Sequence, residues 1–420
     1  MEPFAQTNAP LNVERAKILD ILRGFALLGI FIANSQMLSG YMFLPEESKA
    51  QFGTSISDNI LRMLQFILVE GKFYSLFSLL FGIGFSIILV NNEQKGNNGL
   101  KIFYRRLIIL ILFGLSHLLL LWEGDILMLY GLIGLLLPLF RKCADKTLLL
   151  WAGFLILSPI LADIIWLSTK WMPGGYLEKR AIAISEQYGI TEQNFGNYLF
   201  KEGSGYAEIL KWCQGGIYFR YQYILDSGRI MKVLGIFLIG FYAGRKKMYA
   251  QPEAYIPLFI KIRKWGFIIG IPVSIAGFYF IIDEKNVPRH WAGLADTVCY
   301  ALGVVPMSFA YTCTLVLHWL KHKNSSLLNR LAPAGRMALT NYIMQTVLAI
   351  AIFYNIGLGL GTTIGYTYVL FIVISVYIFQ VIFSTLWLRY FYYGPLEWIW
   401  RMLTYGKFLR LAKRHPINPL

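Results

Sequence analysis

Long apolar segments, interrupted by short polar ones, run along the whole chain. A helix needs about 20 mostly apolar residues to cross a bilayer, and ten segments approach that length. They span residues 18–38, 73–90, 107–122, 126–140, 148–166, 230–244, 265–282, 294–320, 338–354 and 366–388. The pattern predicts an all-α fold in which residues 1–420 form one integral membrane domain, a polytopic bundle of about ten transmembrane helices.

Basic residues cluster in alternate connections between these segments. The clusters include Arg15 and Lys17, Arg105 and Arg106, Arg141 and Lys142, Arg245 and Lys246, Arg330 and Arg336, and Arg401 and Lys407. Cytoplasmic loops carry an excess of Lys and Arg, so an even number of spans with both termini in the cytoplasm explains this distribution. The connections on the other side are acidic, with Glu123 and Asp125 among their residues.

Two segments outside the apolar stretches have a distinct composition. Residues 167–229 mix charged and aromatic side chains and are too polar to span a bilayer. This composition predicts that the segment 167–229 forms either short amphipathic helices that cap the outer mouth of the bundle or a passive extracytoplasmic domain. Residues 390–420 are rich in Trp and Tyr beside Arg401 and Lys407, which is typical of an interfacial tail on the cytoplasmic face.

Composition agrees with the helix pattern. Of 420 residues, 56% are hydrophobic and only 15% are charged, and the mean hydropathy is +0.53, which excludes an ordinary soluble domain. The net charge of +16 resides in the clusters that set topology, so we expect no nucleic-acid partner. The four cysteines have neither the paired spacing of a metal site nor that of a disulfide framework, and no metal is predicted.

The first apolar segment carries a polar stripe. Asp20, Arg23 and Asn34 fall on roughly one face of a helix, because the eleven-residue step from Arg23 to Asn34 closes three turns. The stripe is about 20 Å long. Ionisable groups inside a membrane are costly and usually line a pathway or a site. The alternative is structural: Asp20 pairs with Arg23 at one helix end, and Asn34 caps the other end.

A second set of polar residues falls near the predicted outer ends of helices. It contains Lys72, His117, Glu123, Asp125 and Arg229. His117 lies in the outer half of its helix, two turns from the two carboxylates, which makes it the best candidate for a general base. The alternative is a histidine that only packs or hydrogen-bonds within the bundle.

A third set falls in the predicted inner half of the bundle. Arg23, Arg105 and Arg336 lie there, and the segment GRMALTNYIMQ adds the amides Asn341 and Gln345. Guanidinium groups suit phosphate or carboxylate ligands because they offer several donors in a fixed plane. The alternative is that these arginines hold anionic lipid headgroups and orient the helices.

Five sequence blocks carry a family resemblance. LDILRGFALLGIFIAN, EGKFYSLFSLLFGIGF, GLSHLLLLWEGDILMLYGL, GRMALTNYIMQ and GPLEWIWRMLTYG resemble successive signature blocks of the YeiB family of bacterial multi-pass membrane proteins. The resemblance implies a location in the bacterial cell membrane. That family is similar in turn to transmembrane acyltransferases such as heparan-α-glucosaminide N-acetyltransferase, which have an aspartate, an arginine and an asparagine at the steps of Asp20, Arg23 and Asn34 here.

The resemblance implies transfer of an acyl group from cytoplasmic acyl-CoA, as co-substrate, to an extracytoplasmic acceptor. Catalytic roles would fall to His117, Asn34 and Asp125, and CoA contacts to Arg23, Arg105, Arg336 and Asn341, with Asp20, Lys72, Glu123, Arg229 and Gln345 as a further polar cluster. The acetyltransferase has its catalytic histidine in the loop after the asparagine, whereas the loop SQMLSGYMFLPEE here has none. His117 would therefore act from another helix.

Two other functions stay open from the sequence. The same charged residues could form a proton-coupled path for a small solute or a lipid. Alternatively, the protein is a non-enzymatic scaffold whose polar cluster holds helices together. Besides the lipid bilayer, a second copy of the chain is a candidate partner, giving a homodimer.

Overall fold

Helices make up nearly all of the structure, a computed structural model that describes residues 13–93, 96, 98–283, 291–322 and 326–413. The α-helices are α1 (Val13–Leu38), α2 (Glu46–Ala50), α3 (Ser55–Leu68), α4 (Lys72–Glu93), α5 (Gly99–Leu120), α6 (Leu127–Gly134), α7 (Asp145–Thr169), α8 (Gly175–Gln187), α9 (Tyr206–Asp226), α10 (Arg229–Arg245), α11 (Ile256–Asp283), α12 (Trp291–Cys299), α13 (Val305–Lys321), α14 (Ser326–Arg336), α15 (Ala338–Phe353), α16 (Tyr366–Tyr390) and α17 (Pro395–Tyr405). The described ranges contain no β-strand, so the predicted all-α class is confirmed.

Six helical stretches of the described chain are long and apolar enough to cross a membrane, or seven when a bent pair is counted as one span. They are Lys17–Leu38, Ser55–Asn92, Gly99–Leu120, Asp145–Thr169, Gly293–Lys321 and Tyr366–Tyr390. The bent pair joins Leu327–Arg336 to Ala338–Phe353 at an angle of 86°. The number of ten spans and the cytoplasmic location of both termini stay predictions.

Two of the ten predicted spans are short in the structure. The segment predicted at 126–140 contains α6, which ends at Gly134, and a separate 3-10 turn at Leu137–Phe140 that includes Pro138. Proline removes a helical hydrogen bond, and its ring clashes with the preceding turn, so the regular helix does not continue. Helix α10 has 17 residues, about 26 Å at 1.5 Å per residue, which is slightly less than the thickness of a bilayer core.

Helix α1 lies at the centre of the bundle, and α14 packs directly on it. The contact depends on two glycines, because a Cβ at Gly24 would overlap the Leu331 carbonyl and a Cβ at Gly335 would overlap the Asp20 carbonyl. The Tyr377 hydroxyl of α16 donates to the Gly24 carbonyl at 2.6 Å. This close approach brings the end of α14 beside the first turns of α1.

A buried carboxylate joins α3 to α16. Asp58 is fully buried, and its Oδ1 accepts the backbone N–H and the hydroxyl of Thr367, each at 2.7 Å. Its Oδ2 accepts the Thr54 hydroxyl at 3.1 Å. The carboxylate therefore caps the first turn of α16, where unpaired N–H groups and the helix dipole favour a negative charge.

The segment 167–229 contains α8, a 3-10 turn at Phe195–Asn197 and α9. Helix α9 packs along α5 and the loop that follows it: a Cβ at Gly216 would lie 2.8 Å from Glu123 Cβ. Within the segment 390–420, α17 is amphipathic and rests on α5 and α15, and residues 414–420 lie outside the described residues. The roles predicted for both segments, an outer cap and an interfacial tail, stay predictions.

We expect Gly335→Ala to lower the stability of the protein, because the added methyl group forces α14 away from α1. Overpacking of this kind costs about 1–3 kcal/mol. The matched control is Gly153→Ala in α7, where nothing lies within 4 Å of the added Cβ. Melting temperatures of the purified variants in detergent measure the effect, and equal melting temperatures for the two variants would contradict the packing described.

Candidate functional site

A cavity of about 390 Å³ lies between α1, α4, α5, α6, α15 and α17. One end is charged, and its lining residues are Asp20, Arg23, Arg106, Arg336, Glu397 and Arg401. The remaining wall is apolar or aromatic and runs inward past Phe77, Leu110 and Ile126 to Tyr130 and Tyr342. We call the charged end the basic mouth and the opposite end the inner end.

Both carboxylates of the basic mouth already have partners. Asp20 pairs with Arg23 at 2.6 Å. Glu397 accepts the backbone N–H groups of Leu339 and Thr340 at 2.7 and 3.0 Å, and the Thr340 hydroxyl at 2.7 Å. Burial raises the pKa of Glu397, and the hydrogen bonds from Thr340 act in the opposite direction. Glu397 therefore serves to cap the start of α15.

The other three arginines of the basic mouth have no carboxylate within 4.0 Å among the described residues. The Arg106 guanidinium lies 3.7 Å from the Trp400 ring centre, and that of Arg401 lies 4.8 Å from the Tyr393 ring centre. Arg336 makes a long contact of 3.4 Å to the Tyr392 carbonyl. The mouth therefore carries uncompensated positive charge, which suits an anionic ligand.

His117 and Asp125 form a buried pair beyond the inner end. His117 Nδ1 and Asp125 Oδ2 are 2.9 Å apart, and the side chains are fully buried. The other imidazole nitrogen, Nε2, lies 2.9 Å from Thr346 Oγ1. Asp125 Oδ1 accepts the Met128 N–H at 2.7 Å. In the neutral imidazole, an ionised Asp125 can only accept a hydrogen bond, which places the proton on Nδ1 and leaves Nε2 to accept the Thr346 hydroxyl.

The loop after α5 brings the carboxylate back to the imidazole. The N–H groups of Leu121 and Trp122 both bond to the His117 carbonyl, at 3.0 and 2.9 Å, and this ends the helix. Arg220 of α9 fixes the returning chain, because its Nη2 donates to the carbonyls of Asp125 and Gly124 at 2.8 and 3.3 Å. Burial lowers the pKa of Arg220.

One aromatic ring separates the cavity from the imidazole. Tyr342 lines the inner end, and its ring centre lies 5.3 Å from that of His117. The Tyr342 hydroxyl is buried and lies near the Ile126 backbone, without a hydrogen bond of normal geometry among the described residues. In contrast, the Tyr130 hydroxyl donates to the Tyr74 carbonyl at 2.6 Å.

Comparison with known proteins decides the family. A family model described as a protein of unknown function, DUF418, matches residues 243–407. The uncharacterised protein YeiB of Escherichia coli (strain K12) is 28% identical over 419 residues, which cover 93% of this chain and 97% of YeiB. The uncharacterised protein YxaH of Bacillus subtilis (strain 168) is 31% identical in an alignment of 426 positions, which covers 96% of this chain and 98% of YxaH. This chain belongs to the YeiB family. No solved structure matches this YeiB-family chain.

Several residues predicted for the YeiB-family site lie away from the cavity. Arg105 is exposed and donates to the Leu403 carbonyl at 3.0 Å, whereas its neighbour Arg106 lines the mouth. Asn341 is buried between α15 and α16, with its amide 2.9 Å from Ser384 Oγ. The Gln345 amide donates to Gln380 at 3.1 Å. Arg105, Asn341 and Gln345 do not line the cavity, so the cavity gives no support to their predicted roles.

Three other predicted residues also lie outside the cavity lining. Asn34 is half-buried on α1, beyond Ile30, which is the last α1 residue to line the cavity. Lys72 Nζ donates to the Phe66 carbonyl at 3.0 Å. The Arg229 guanidinium lies 4.8 Å from the ring centre of Tyr223. Of the three residues in the polar stripe predicted on α1, Asp20 and Arg23 line the cavity and Asn34 does not.

Glu123 lies close to the His117 and Asp125 pair without bonding to it. Its carboxylate is buried beside the Trp212 side chain; burial raises the pKa of Glu123, and the contact with Trp212 acts in the opposite direction. The predicted convergence of polar residues thus holds for His117, Glu123 and Asp125. Sequence reasoning missed Thr346, because a single threonine in an apolar helix gives no signal of its own.

We expect Asp125→Asn to destabilise the YeiB-family fold, because an amide nitrogen would face either His117 Nδ1–H or Met128 N–H, and both of these are donors. An unsatisfied buried donor costs about 1–3 kcal/mol. The control is Asp145→Asn, which weakens partly exposed pairs with Arg245 and Lys246 and should cost about 1 kcal/mol, because exposed pairs contribute little. Melting temperatures in detergent measure both changes. A smaller loss for Asp125→Asn than for Asp145→Asn would argue against the buried pair.

Proposed function

We propose that this protein is a membrane acyltransferase. It takes an acyl group from a cytoplasmic acyl-CoA and passes it to an acceptor on the opposite side of the bacterial cell membrane. The observation that supports this proposal is the order of groups along one cavity. An arginine-rich mouth lies at one end, an apolar wall follows, and the His117 and Asp125 pair lies one ring beyond the inner end.

The basic mouth suits the phosphates of CoA. Arg106, Arg336 and Arg401 line it without carboxylate partners among the described residues. Guanidinium groups bind phosphate oxygens with charge-assisted hydrogen bonds. These arginines also belong to connections that the positive-inside rule assigns to the cytoplasm, which is the compartment that supplies acyl-CoA.

The cavity length suits the arm that links those phosphates to the thioester. Along α1 the lining runs from Asp20 to Ile30, about 15 Å at 1.5 Å per residue. A ligand held by its phosphates in the mouth would direct its thioester toward Tyr342. The apolar wall keeps water out, which protects a thioester against hydrolysis.

His117 is the general base of this reaction. Its Nε2 is the unprotonated nitrogen, and Asp125 holds the imidazole in that tautomer from the other side. A positioned base contributes about 10²–10⁴-fold to a rate. Burial away from water strengthens these electrostatic interactions.

A second candidate function is transport of an anionic solute or lipid through the same cavity. It is favoured by the 86° break between α14 and α15, which borders the cavity at Arg336 and Ala338. Discontinuous helices form substrate sites in many transporters. Release of free CoA from acetyl-CoA by purified protein supports transfer, whereas flux into proteoliposomes without thioester cleavage supports transport.

We expect Arg336→Gln to weaken binding of CoA about tenfold or more, because a hydrogen bond to a charged group contributes about 1.5–3 kcal/mol. Lys101→Gln is the control, since Lys101 is exposed on α5 and the substitution removes the same charge. Isothermal titration of CoA into detergent-purified protein measures the affinities. Equal affinities for both variants would mean that the mouth does not hold the phosphates.

We expect His117→Gln to lower the rate of CoA release from acetyl-CoA by about 10²-fold or more, with CoA affinity within about twofold of the starting value, because His117 does not line the mouth. The rate is followed with a thiol reagent. A variant that folds, binds CoA and still turns over at the original rate would refute the role of His117.

A further inference from the structure

Three side chains beyond the inner end form a continuous hydrogen-bonded chain. Thr346 Oγ1, His117 Nε2, His117 Nδ1 and Asp125 Oδ2 follow one another with two contacts of 2.9 Å each. The exposed fractions of Thr346, His117 and Asp125 are 2%, 1% and 2%. A hydroxyl, an imidazole and a carboxylate in this order form the arrangement that activates a hydroxyl as a nucleophile, and it is recognised by its geometry rather than by sequence position.

Thr346 does not make the local hydrogen bond that several helical threonines of this protein make. Threonine in a helix commonly donates to the carbonyl four residues earlier. Thr312, Thr314 and Thr385 do so, at 3.0, 2.7 and 2.8 Å. The Thr346 hydroxyl instead donates to His117, because Asp125 fixes the imidazole proton on the opposite nitrogen. This hydrogen bond orients the Thr346 proton toward Nε2, the atom that would accept it.

Thr346 lies one helical turn beyond the cavity wall. Tyr342 lines the inner end, and Thr346 follows it by four residues on the same face of α15. The Tyr342 ring packs on His117, and its buried hydroxyl lies near the Ile126 backbone without a hydrogen bond of normal geometry. The role proposed below for Thr346 requires this ring to rotate, so that the cavity reaches Thr346 Oγ1. The Tyr342 hydroxyl would then donate to the carbonyl oxygen of a bound acyl group.

We propose that Thr346 is the catalytic nucleophile and carries the acyl group as an ester between two half-reactions. This inference rests on the acyl transfer proposed above. In the first half-reaction, His117 Nε2 takes the Thr346 proton while Oγ1 bonds to the thioester carbon. The C–S bond breaks, and the thiolate leaves as the free thiol with the proton from Nε2.

In the second half-reaction, an acceptor hydroxyl or amine gives its proton to Nε2 and attacks the ester carbon. The bond to Oγ1 breaks, and Thr346 regains a proton from Nε2. A covalent intermediate suits this position, because acyl-CoA and the acceptor approach from opposite sides of the membrane. The two substrates then never need to occupy the interior together.

The test is acetylation of the full-length purified protein by acetyl-CoA without acceptor, followed by peptide mass spectrometry. We expect one acetyl ester per chain on the peptide that contains Thr346, removed by hydroxylamine. Thr346→Val keeps the shape of the side chain and should abolish the label, whereas Thr346→Ser should retain it. Thr385→Val is the matched control and should be labelled like the starting protein. Gel filtration and CoA affinity verify that each variant is folded.

Different outcomes separate this inference from the function on which it rests. An acetyl group found on His117, or label undiminished in Thr346→Val, overturns the role of Thr346. CoA release at the original rate by Thr346→Val overturns it as well, while leaving acyl transfer in place. If no variant binds CoA or cleaves acetyl-CoA, the proposed function fails and this inference fails with it.

Discussion

A polar group inside an apolar helix bundle persists only when another group satisfies it, because burial without a partner costs several kcal/mol. The arrangement of this protein follows from that constraint. Asp58 is satisfied by Thr54 and Thr367 and thereby fixes α3 against α16. Asp125 is satisfied by Met128 and His117 and fixes the loop after α5. Each buried carboxylate thus joins elements that apolar packing alone would leave free to slide.

The same constraint distinguishes the site from the rest of the interior. Most buried carboxylates and hydroxyls here have their hydrogen bonds within the protein. The basic mouth differs from this interior, because three of its arginines have no carboxylate within 4.0 Å among the described residues. Uncompensated positive charge at one end of the cavity is the feature on which the proposed binding of acyl-CoA depends.

The helical class and part of the site could be predicted from the sequence. Apolar length predicted the long helices that are able to span a membrane, and the spacing of Asp20 and Arg23 on one helix face predicted residues that line the cavity. The sequence also placed His117 and Asp125 near the same predicted outer helix ends, and the structure adds that they form a hydrogen bond. Local periodicity and short-range spacing carry this information.

The remainder depends on contacts between distant segments. Nothing local distinguishes Arg106, which lines the mouth, from Arg105, which does not, because the choice is made by the packing of α17 on α5. Thr346 meets His117 across 229 residues of sequence. The break at Met337 between α14 and α15 is likewise a tertiary feature, stabilised by Glu397 from the C-terminal helix.

That last contact makes the final helix part of the interior architecture. Glu397 covers the first N–H groups of α15, and Trp400 lies against Arg106 in the mouth. A chain ending after α16 would keep every long apolar helix and lose both the cap and one wall of the cavity. The long apolar helices therefore do not enclose the cavity by themselves, because the amphipathic helix α17 supplies one of its walls.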